Sequence, residues 1–226
     1  MKCIFEGKVL HMLPIPSGIV AAVLAEITDE GKMAVEYRML SMETGQIQRI
    51  TNSVYLLAKF GTSHKSAENQ VANHLTCRTC MLPEGEIFTV EEDGGAKLLD
   101  ADGFSRWVGI VKYKGEVPAD VVFDGKNIWA SFTENNTLLR LDPSSMREEL
   151  RVGGKKSEEN GFSGPVGIFS EGEELFVSNC KSNQVWKINT KTYEAGEYLS
   201  FEEPVYAYCK CHGREVVHLE SGIYEV

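Results

Sequence analysis

Five stretches of this sequence begin alike, with a turn glycine, a β-rich apolar run, a polar turn and a second alternating run. Successive stretches start 67, 40, 47 and 41 residues apart in a chain of 226 residues, at Gly18, Gly85, Gly125, Gly172 and Gly213. A unit of about 45 residues with four short strands is the size of one β-propeller blade. Because helical periodicity is nearly absent, the repeat predicts an all-β protein, a five-bladed β-propeller.

The two ends of the chain predict how the ring closes. The last unit has room for three strands, Val205–Lys210, Glu215–Leu219 and Ile223–Val226, but not for a fourth. The first residues, Lys2–Glu6, form a short strand that would pair with Ile223–Val226 and complete the fifth blade. Closure removes the open edges at which sheets aggregate. We therefore predict a single β-propeller domain over residues 1–226, with a β-sandwich or an open repeat array as the alternatives.

The charge balance limits the partners. The chain has 23 Lys and Arg against 33 Asp and Glu, a net charge of −10. Nucleic-acid binding needs a basic stripe and docking on anionic lipid needs basic clusters, so we expect neither a nucleic acid nor a membrane as partner. Glu6, Lys8 and His11 interrupt the apolar N-terminal stretch, and no signal-peptide cleavage site follows. A chain of this length with six cysteines and no such signal more often keeps them as free thiols in a reducing cytosol, so we expect a cytoplasmic protein.

Two segments resemble a known group of repeats. NIWASFTENNTLLRLDP at 127–143 and ELFVSNCKSNQVWKINTKT at 174–192 resemble repeats of the NHL, YVTN and virginiamycin-lyase-like propeller superfamily. The likeness covers residues 118–200 well and 80–112 moderately. It implies the propeller architecture but no single activity, because such propellers range from enzymes to docking platforms. We place no H-x-E-like segment of the streptogramin-lyase type on the expected turns.

One rim of such a propeller carries the loops that enter the inner strands and the turns between the second and third strands. Two of the entering loops are long, Gly61–Asn73 and Gly153–Gly164. Loops of this length are either functional or simply mobile and solvated. The turns are acidic. The carboxylates of these turns would attract a divalent cation or a basic partner; alternatively, they are simply solvated turn residues. The turns carry Asp29, Glu30, Glu91, Glu92, Asp93, Glu134 and Glu220, together with the amide side chains Asn179 and Asn183.

Counting back from the turn glycines predicts which inner-strand residues meet at the channel mouth. Seven residues before a glycine stand His11, Arg78 and Tyr206, and five before stand Cys80, Asp120 and Tyr208. An arginine would pair with a carboxylate or phosphate, and an aspartate would take a proton. Alternatively, Arg78 and Asp120 bridge neighbouring blades, since buried polar groups need partners in any case.

The cysteines allow a further interpretation. Cys77 and Cys80 have C-x-x-C spacing, while Cys209, Cys211 and His212 form a C-x-C-H segment. The two segments would lie at opposite rims, so we favour buried free thiols over a zinc site and predict no metal. Cys180, in a turn, is expected to be the most reactive thiol.

These observations favour a non-enzymatic binding scaffold without a cofactor, although a divalent cation at the acidic rim stays open. The scaffold would present its loop-rich acidic rim and channel mouth to a small molecule or a protein partner. The alternative is an enzyme of the lyase or hydrolase type that uses His11, Arg78 and Asp120. A protein that holds a metal through its cysteines is a third hypothesis.

Overall fold

The computed structural model describes residues 1–27, 33–51, 54, 78–154 and 161–226. Within these ranges the strands form five antiparallel sheets of four strands each, which confirms the predicted five-bladed β-propeller. No helix in the described ranges is long and apolar enough to cross a membrane.

Four of the blades use consecutive strands, and the first strand of each blade lies innermost. Blade 1 contains β2 (Val9–Ile15), β3 (Gly18–Ile27), β4 (Met33–Ser41) and β5 (Ile47–Ile50), and blade 2 contains β6 (Arg78–Met81), β7 (Ile87–Val90), β8 (Gly95–Leu99) and β9 (Ser105–Ile110), with a 3₁₀ turn at Pro83–Gly85. Blade 3 contains β10 (Asp120–Phe123), β11 (Ile128–Phe132), β12 (Thr137–Leu141) and β13 (Glu148–Gly153). Blade 4 contains β14 (Pro165–Glu171), β15 (Glu174–Asn179), β16 (Gln184–Asn189) and β17 (Ala195–Ser200).

Blade 5 joins the two ends of the chain. It consists of β18 (Val205–Cys211), β19 (Arg214–Leu219), β20 (Gly222–Glu225) and, outermost, β1 (Lys2–Glu6). β1 runs antiparallel to β20, with Lys2 opposite Glu225 and Glu6 opposite Gly222. The predicted ring closure is therefore confirmed. A Cβ atom on Gly222 would lie 2.1 Å from the carbonyl oxygen of Phe5, so this pairing requires a glycine.

The core lies between the blades rather than within them. Trp129 of blade 3 packs with Leu175 and Val177 of blade 4, and all three are fully buried. Phe176 of blade 4 packs in turn against Tyr208 of blade 5, with ring centroids 4.7 Å apart. In the described part of the chain, the blades thus bury apolar faces against neighbouring blades, and the inner strands surround a central channel.

Candidate functional site

A cavity of about 430 Å³ lies where the inner strands of all five blades begin. The side chains that line it come from β2, β6, β10, β14 and β18 and from the residues just before β2 and β10. His218 at the end of β19 and Glu220 in the turn that follows complete the wall. The cavity therefore occupies the channel mouth on the predicted loop-bearing rim.

Strand register arranges the lining residues in two tiers. In the deeper tier, each residue pairs with a residue of the second strand of its blade: His11 with Ala22, Thr79 with Thr89, Asp120 with Ser131, Gly167 with Ser178 and Ala207 with His218. In blades 2 to 5 this partner is the penultimate residue of the second strand. The outer tier consists of the residue that comes immediately before each deeper-tier residue in the chain, namely Leu10, Arg78, Ala119, Val166 and Tyr206.

Bulges aim the outer tier into the cavity. The ladder shifts register around Leu10, around Val166 and around Tyr206, so each of these residues has no partner of its own in the ladder. A bulge bends its strand and redirects the extra side chain, and bulges often lie beside functional sites. Three of the five inner strands carry the same bulge at the same level. The mouth of the channel is therefore a repeated feature of the fold.

Four of the six inner-strand residues predicted from the sequence line this cavity: His11, Arg78, Asp120 and Tyr206. Cys80 and Tyr208 do not. The count from the turn glycine fails because the hairpins differ in length: the deeper tier lies seven, six, five, five and six residues before its glycine in blades 1 to 5. A slip of one residue along a strand turns a side chain to the other face.

The two displaced residues lie between blades. Tyr208 is buried among Phe169, Phe176 and Tyr198, and burial raises the pKa of its phenol. Cys80 packs against the core between blades 2 and 3. Burial, together with the negative charge of Asp120, raises the pKa of the Cys80 thiol far above its usual range. Neither group is placed to meet a ligand in the channel.

Asp120 has partners on two blades. Its Oδ1 accepts a hydrogen bond of 2.8 Å from the backbone amide of Val121, and its Oδ2 accepts one of 3.0 Å from the amide of Ile168 on blade 4. Nearby, Ser131 Oγ donates to the carbonyl oxygen of Val166 over 3.0 Å. The bridging role proposed for Asp120 as the alternative to catalysis is thus visible in its contacts.

The sequence analysis missed His218. This imidazole is 5% exposed, hydrogen-bonds to the backbone of Val9, and lies with its ring centroid 5.3 Å from that of Tyr206. Burial lowers its pKa to about 4, so it is neutral at physiological pH. The signal was present: His218, Leu219 and Glu220 form an H-x-E segment where β19 enters its turn. Our expectation that no such segment lies on these turns was wrong.

Charge is unevenly distributed around the cavity wall. The cationic or hydrogen-bonding side chains Lys8, His11 and Arg78 come from the adjacent blades 1 and 2. The carboxylates of Asp120 and Glu220 flank them from blades 3 and 5. Lys8 and Glu220 are exposed at the outer end, whereas the other three are half-buried. A ligand here would meet positive and negative groups on different sides.

The opposite wall is small and apolar. Blade 4 contributes Val166 and Gly167, flanked by Ala119 of blade 3 and Ala207 of blade 5. Gly167 is buried, and a Cβ atom there would lie 2.3 Å from the carbonyl oxygen of Tyr206. The glycine therefore permits the close approach of blades 4 and 5 that shapes this wall.

The predicted rim residues remain spread around the ring. Glu91 pairs with Lys97 at 2.9 Å, and Glu134 with Lys181 at 3.0 Å. Asp93 Oδ1 accepts a hydrogen bond from the amide of Gly95 in its own turn. Asn179 is fully buried, and its Oδ1 accepts a hydrogen bond of 3.0 Å from the amide of Ser163. These contacts use the side chains within a turn or between neighbouring turns of the rim.

Metal binding finds no support in the part of the chain that is described, because no three His, Cys, Asp or Glu side chains there converge to hold an ion. Cys209 and Cys211 are buried, and the Cys211 thiol donates to the carbonyl oxygen of Gly18 over 3.1 Å. Several residues named in the sequence analysis lie outside the described ranges: Cys77, Asp29, Glu30, the stretch 61–73 and residues 155–160 of the second long loop.

Comparison with known proteins identifies the architecture. No protein-family profile and no curated protein sequence matches the chain. The fold is similar to that of a streptogramin B lyase, with a TM-score of 0.55 and 14% identity over 97% of this chain and 83% of the lyase. It is also similar to Sqt1 of Saccharomyces cerevisiae, with a TM-score of 0.54 and 8% identity over 96% of this chain and 72% of Sqt1.

A third solved structure, the computationally designed protein Ika4, gives a TM-score of 0.50 and 10% identity over 66% of this chain and 89% of Ika4. The expected resemblance to lyase-type propellers is therefore confirmed for the architecture. At such low identity the likeness concerns the fold alone, and the function has to be argued from the site.

Proposed function

We propose that the protein binds a small polar molecule in the cavity at the channel mouth. The observation that carries the proposal is the convergence of all five inner strands on one pocket of about 430 Å³, within the size range of small-molecule sites. Its lining combines a few polar groups with a small apolar wall, as such sites do. The polar end of the ligand would face Lys8, His11 and Arg78, and its apolar part would face Val166 and Gly167.

Binding is favoured over catalysis by the state of Asp120. Both oxygens of this carboxylate accept hydrogen bonds from backbone amides, at 2.8 and 3.0 Å. A general base has to be free to turn toward a substrate proton, and these two bonds hold the carboxylate at the junction between blades instead. The carboxylate serves the junction between blades 3 and 4, while its charge still contributes to the cavity wall.

The test is a thermal-shift screen with metabolites that carry a carboxylate, a phosphate or an amino group. A ligand at about 100 times its Kd should stabilise the protein by roughly 2.7 kcal/mol. Val166→Phe fills the cavity from blade 4 and should abolish the shift, and Arg78→Gln should weaken it. Ile47→Phe, at an exposed position on β5, is the matched control. A wild-type protein that responds to no compound class, or a shift that survives Val166→Phe, would contradict the proposal.

Acid–base catalysis in the same cavity is the second candidate, and one observation favours it. The buried imidazole of His218 is neutral at physiological pH and stands beside the ring of Tyr206. A neutral imidazole has a nitrogen lone pair that can accept a hydrogen bond from a bound molecule and position that molecule for proton transfer. Turnover of a ligand found in the screen, lost in His218→Gln while binding is retained, would identify an enzyme.

A further inference from the structure

Two charges of opposite sign stand at the outer end of the cavity. Lys8 comes just before β2 of blade 1, Glu220 comes just after β19 of blade 5, and both side chains line the cavity and are exposed. Within the described ranges, neither side chain forms an ion pair or a hydrogen bond. By contrast, Glu134 and Lys181 on the same rim pair with each other. We call Lys8 and Glu220 the charged lip.

The backbone holds the charged lip together at the junction of blades 5 and 1. His218, two residues before Glu220, hydrogen-bonds to the backbone of Val9, the residue after Lys8. The amide of Glu220 donates a hydrogen bond of 3.1 Å to the carbonyl oxygen of Pro204. The two charges are therefore carried by neighbouring chain segments that are joined to each other, so one small molecule can reach both.

Tyr206 makes the Glu220 side of the lip suited to a positive charge. This side chain lines the cavity at the bulge of β18. Burial raises the pKa of its phenol, and the negative charge of Glu220 raises it further because that carboxylate lies close by. An ammonium group is attracted both by a carboxylate and by the face of an aromatic ring. This corner of the cavity thus offers both kinds of contact to one cation.

The tier next to the lip is largely aliphatic. Leu10 of blade 1, Ala119 of blade 3 and Val166 of blade 4 line the cavity at this level. Arg78 of blade 2 lies in the same tier and adds to the positive charge on the Lys8 side. A molecule whose charged groups stay at the lip would therefore place an apolar group among the three aliphatic side chains, where its removal from water favours binding.

We propose that the ligand is a free α-amino acid with an apolar side chain, its carboxylate at Lys8 and its ammonium group at Glu220 and Tyr206. This inference rests on the binding function proposed for the cavity and narrows the ligand to one chemical class. An α-amino acid carries both charges on one carbon, which matches two charges held at one junction. Its side chain leaves that carbon in a third direction, toward Ala119 and Val166. A simple anion would leave Glu220 without a partner, and a simple amine would leave Lys8 without one.

Titration calorimetry with L-alanine, L-valine, L-leucine and L-phenylalanine tests the inference, and the wild-type chain should bind at least one of them. The N-acetyl derivative of that amino acid lacks the ammonium group, and its amide lacks the carboxylate. At about pH 6.5, below the pKa of an α-amino group, each derivative should bind roughly threefold or more weakly than the amino acid.

Two variants assign each charge to its partner. Glu220→Gln should weaken binding of the amino acid but leave the affinity for the N-acetyl derivative unchanged, because that derivative has no ammonium group to lose. Lys8→Gln should weaken binding of the amino acid but not of the amide. Glu194→Gln and Lys126→Gln, at exposed positions outside the cavity lining, are the matched controls and should leave all affinities unchanged.

Two results would overturn the inference while leaving the binding function in place. One is a compound from the metabolite screen whose binding is abolished by Val166→Phe, when none of the four amino acids binds. The other is an amino acid whose N-acetyl derivative or amide binds as tightly as the amino acid itself, or whose affinity tolerates Glu220→Gln. Absence of binding by every compound, or amino-acid binding that survives Val166→Phe, would contradict the binding function and this inference together.

Discussion

The carboxylate of Asp120 on β10 accepts a hydrogen bond of 3.0 Å from the backbone amide of Ile168 on β14. The same carboxylate accepts a second bond, of 2.8 Å, from the amide of Val121 on its own strand. One side chain therefore satisfies two half-buried amides at the junction of blades 3 and 4. A residue that the sequence suggests for proton transfer thus takes part in holding the ring together.

Replacement of Asp120 is expected to destabilise the fold. Asp120→Ala leaves the amides of Val121 and Ile168 without these acceptors, which should lower the free energy of unfolding by about 2 to 4 kcal/mol. Asp120→Asn keeps one carbonyl acceptor and should lose less. Urea denaturation measures the effect, and Glu202→Ala, at an exposed position, serves as the control. Full stability in Asp120→Ala would show that the junction does not depend on this carboxylate.

Gly167 should be intolerant of any side chain. The added methyl group of Gly167→Ala would lie 2.3 Å from the carbonyl oxygen of Tyr206, so blades 4 and 5 would have to separate. Overpacking of this kind costs about 1 to 3 kcal/mol. The matched control is Gly196→Ala on β17, where a Cβ atom meets nothing within 4 Å. Calorimetry should show a lower melting temperature for the first variant and little change for the second; equal behaviour would contradict the packing argument.

The blade count and the ring closure could be predicted because they depend on features that repeat. Turn glycines recur once per blade, and alternation within each run marks the strands. The strand predicted at Lys2–Glu6 has the same bounds in the structure, and the strand predicted at Glu215–Leu219 begins one residue earlier, at Arg214. Such elements are specified by local sequence, so one chain is sufficient to find them.

The composition of the site could be predicted only in part, because it depends on register. The hairpins between the first and second strands differ in length, and bulges at Leu10, Val166 and Tyr206 add one residue to three of the five inner strands. No local signal in the sequence marks these bulges. Cys80 and Tyr208 were therefore assigned to the wrong face, and His218, which reaches the cavity from a second strand, was overlooked.

Thiol labelling should follow burial rather than position in a turn. Cys3 is exposed on β1. Burial raises the pKa of the half-buried Cys180 thiol, so a smaller fraction of it is ionised to the reactive thiolate than in a fully exposed cysteine. Cys209 is buried, and its pKa is raised to about 12. With iodoacetamide near neutral pH, peptide mass spectrometry should find Cys3 modified before Cys180, and Cys209 only after unfolding. Rapid modification of Cys209 in the folded protein would contradict this order.

Acid should destabilise the protein through His218. Burial lowers the pKa of this imidazole to about 4, below the usual value of 6.5, so the unfolded chain binds a proton that the folded chain excludes. The free energy of unfolding therefore decreases as the pH falls from about 6.5 toward 4, because only the unfolded chain gains the proton. Between pH 7 and pH 5 the decrease should be about 2 kcal/mol. His218→Phe keeps an aromatic ring beside Tyr206 but cannot titrate. Urea denaturation at pH 7 and pH 5 should show that the variant loses about 2 kcal/mol less unfolding free energy than the wild type. An equal loss in both proteins would show that other groups cause the acid sensitivity.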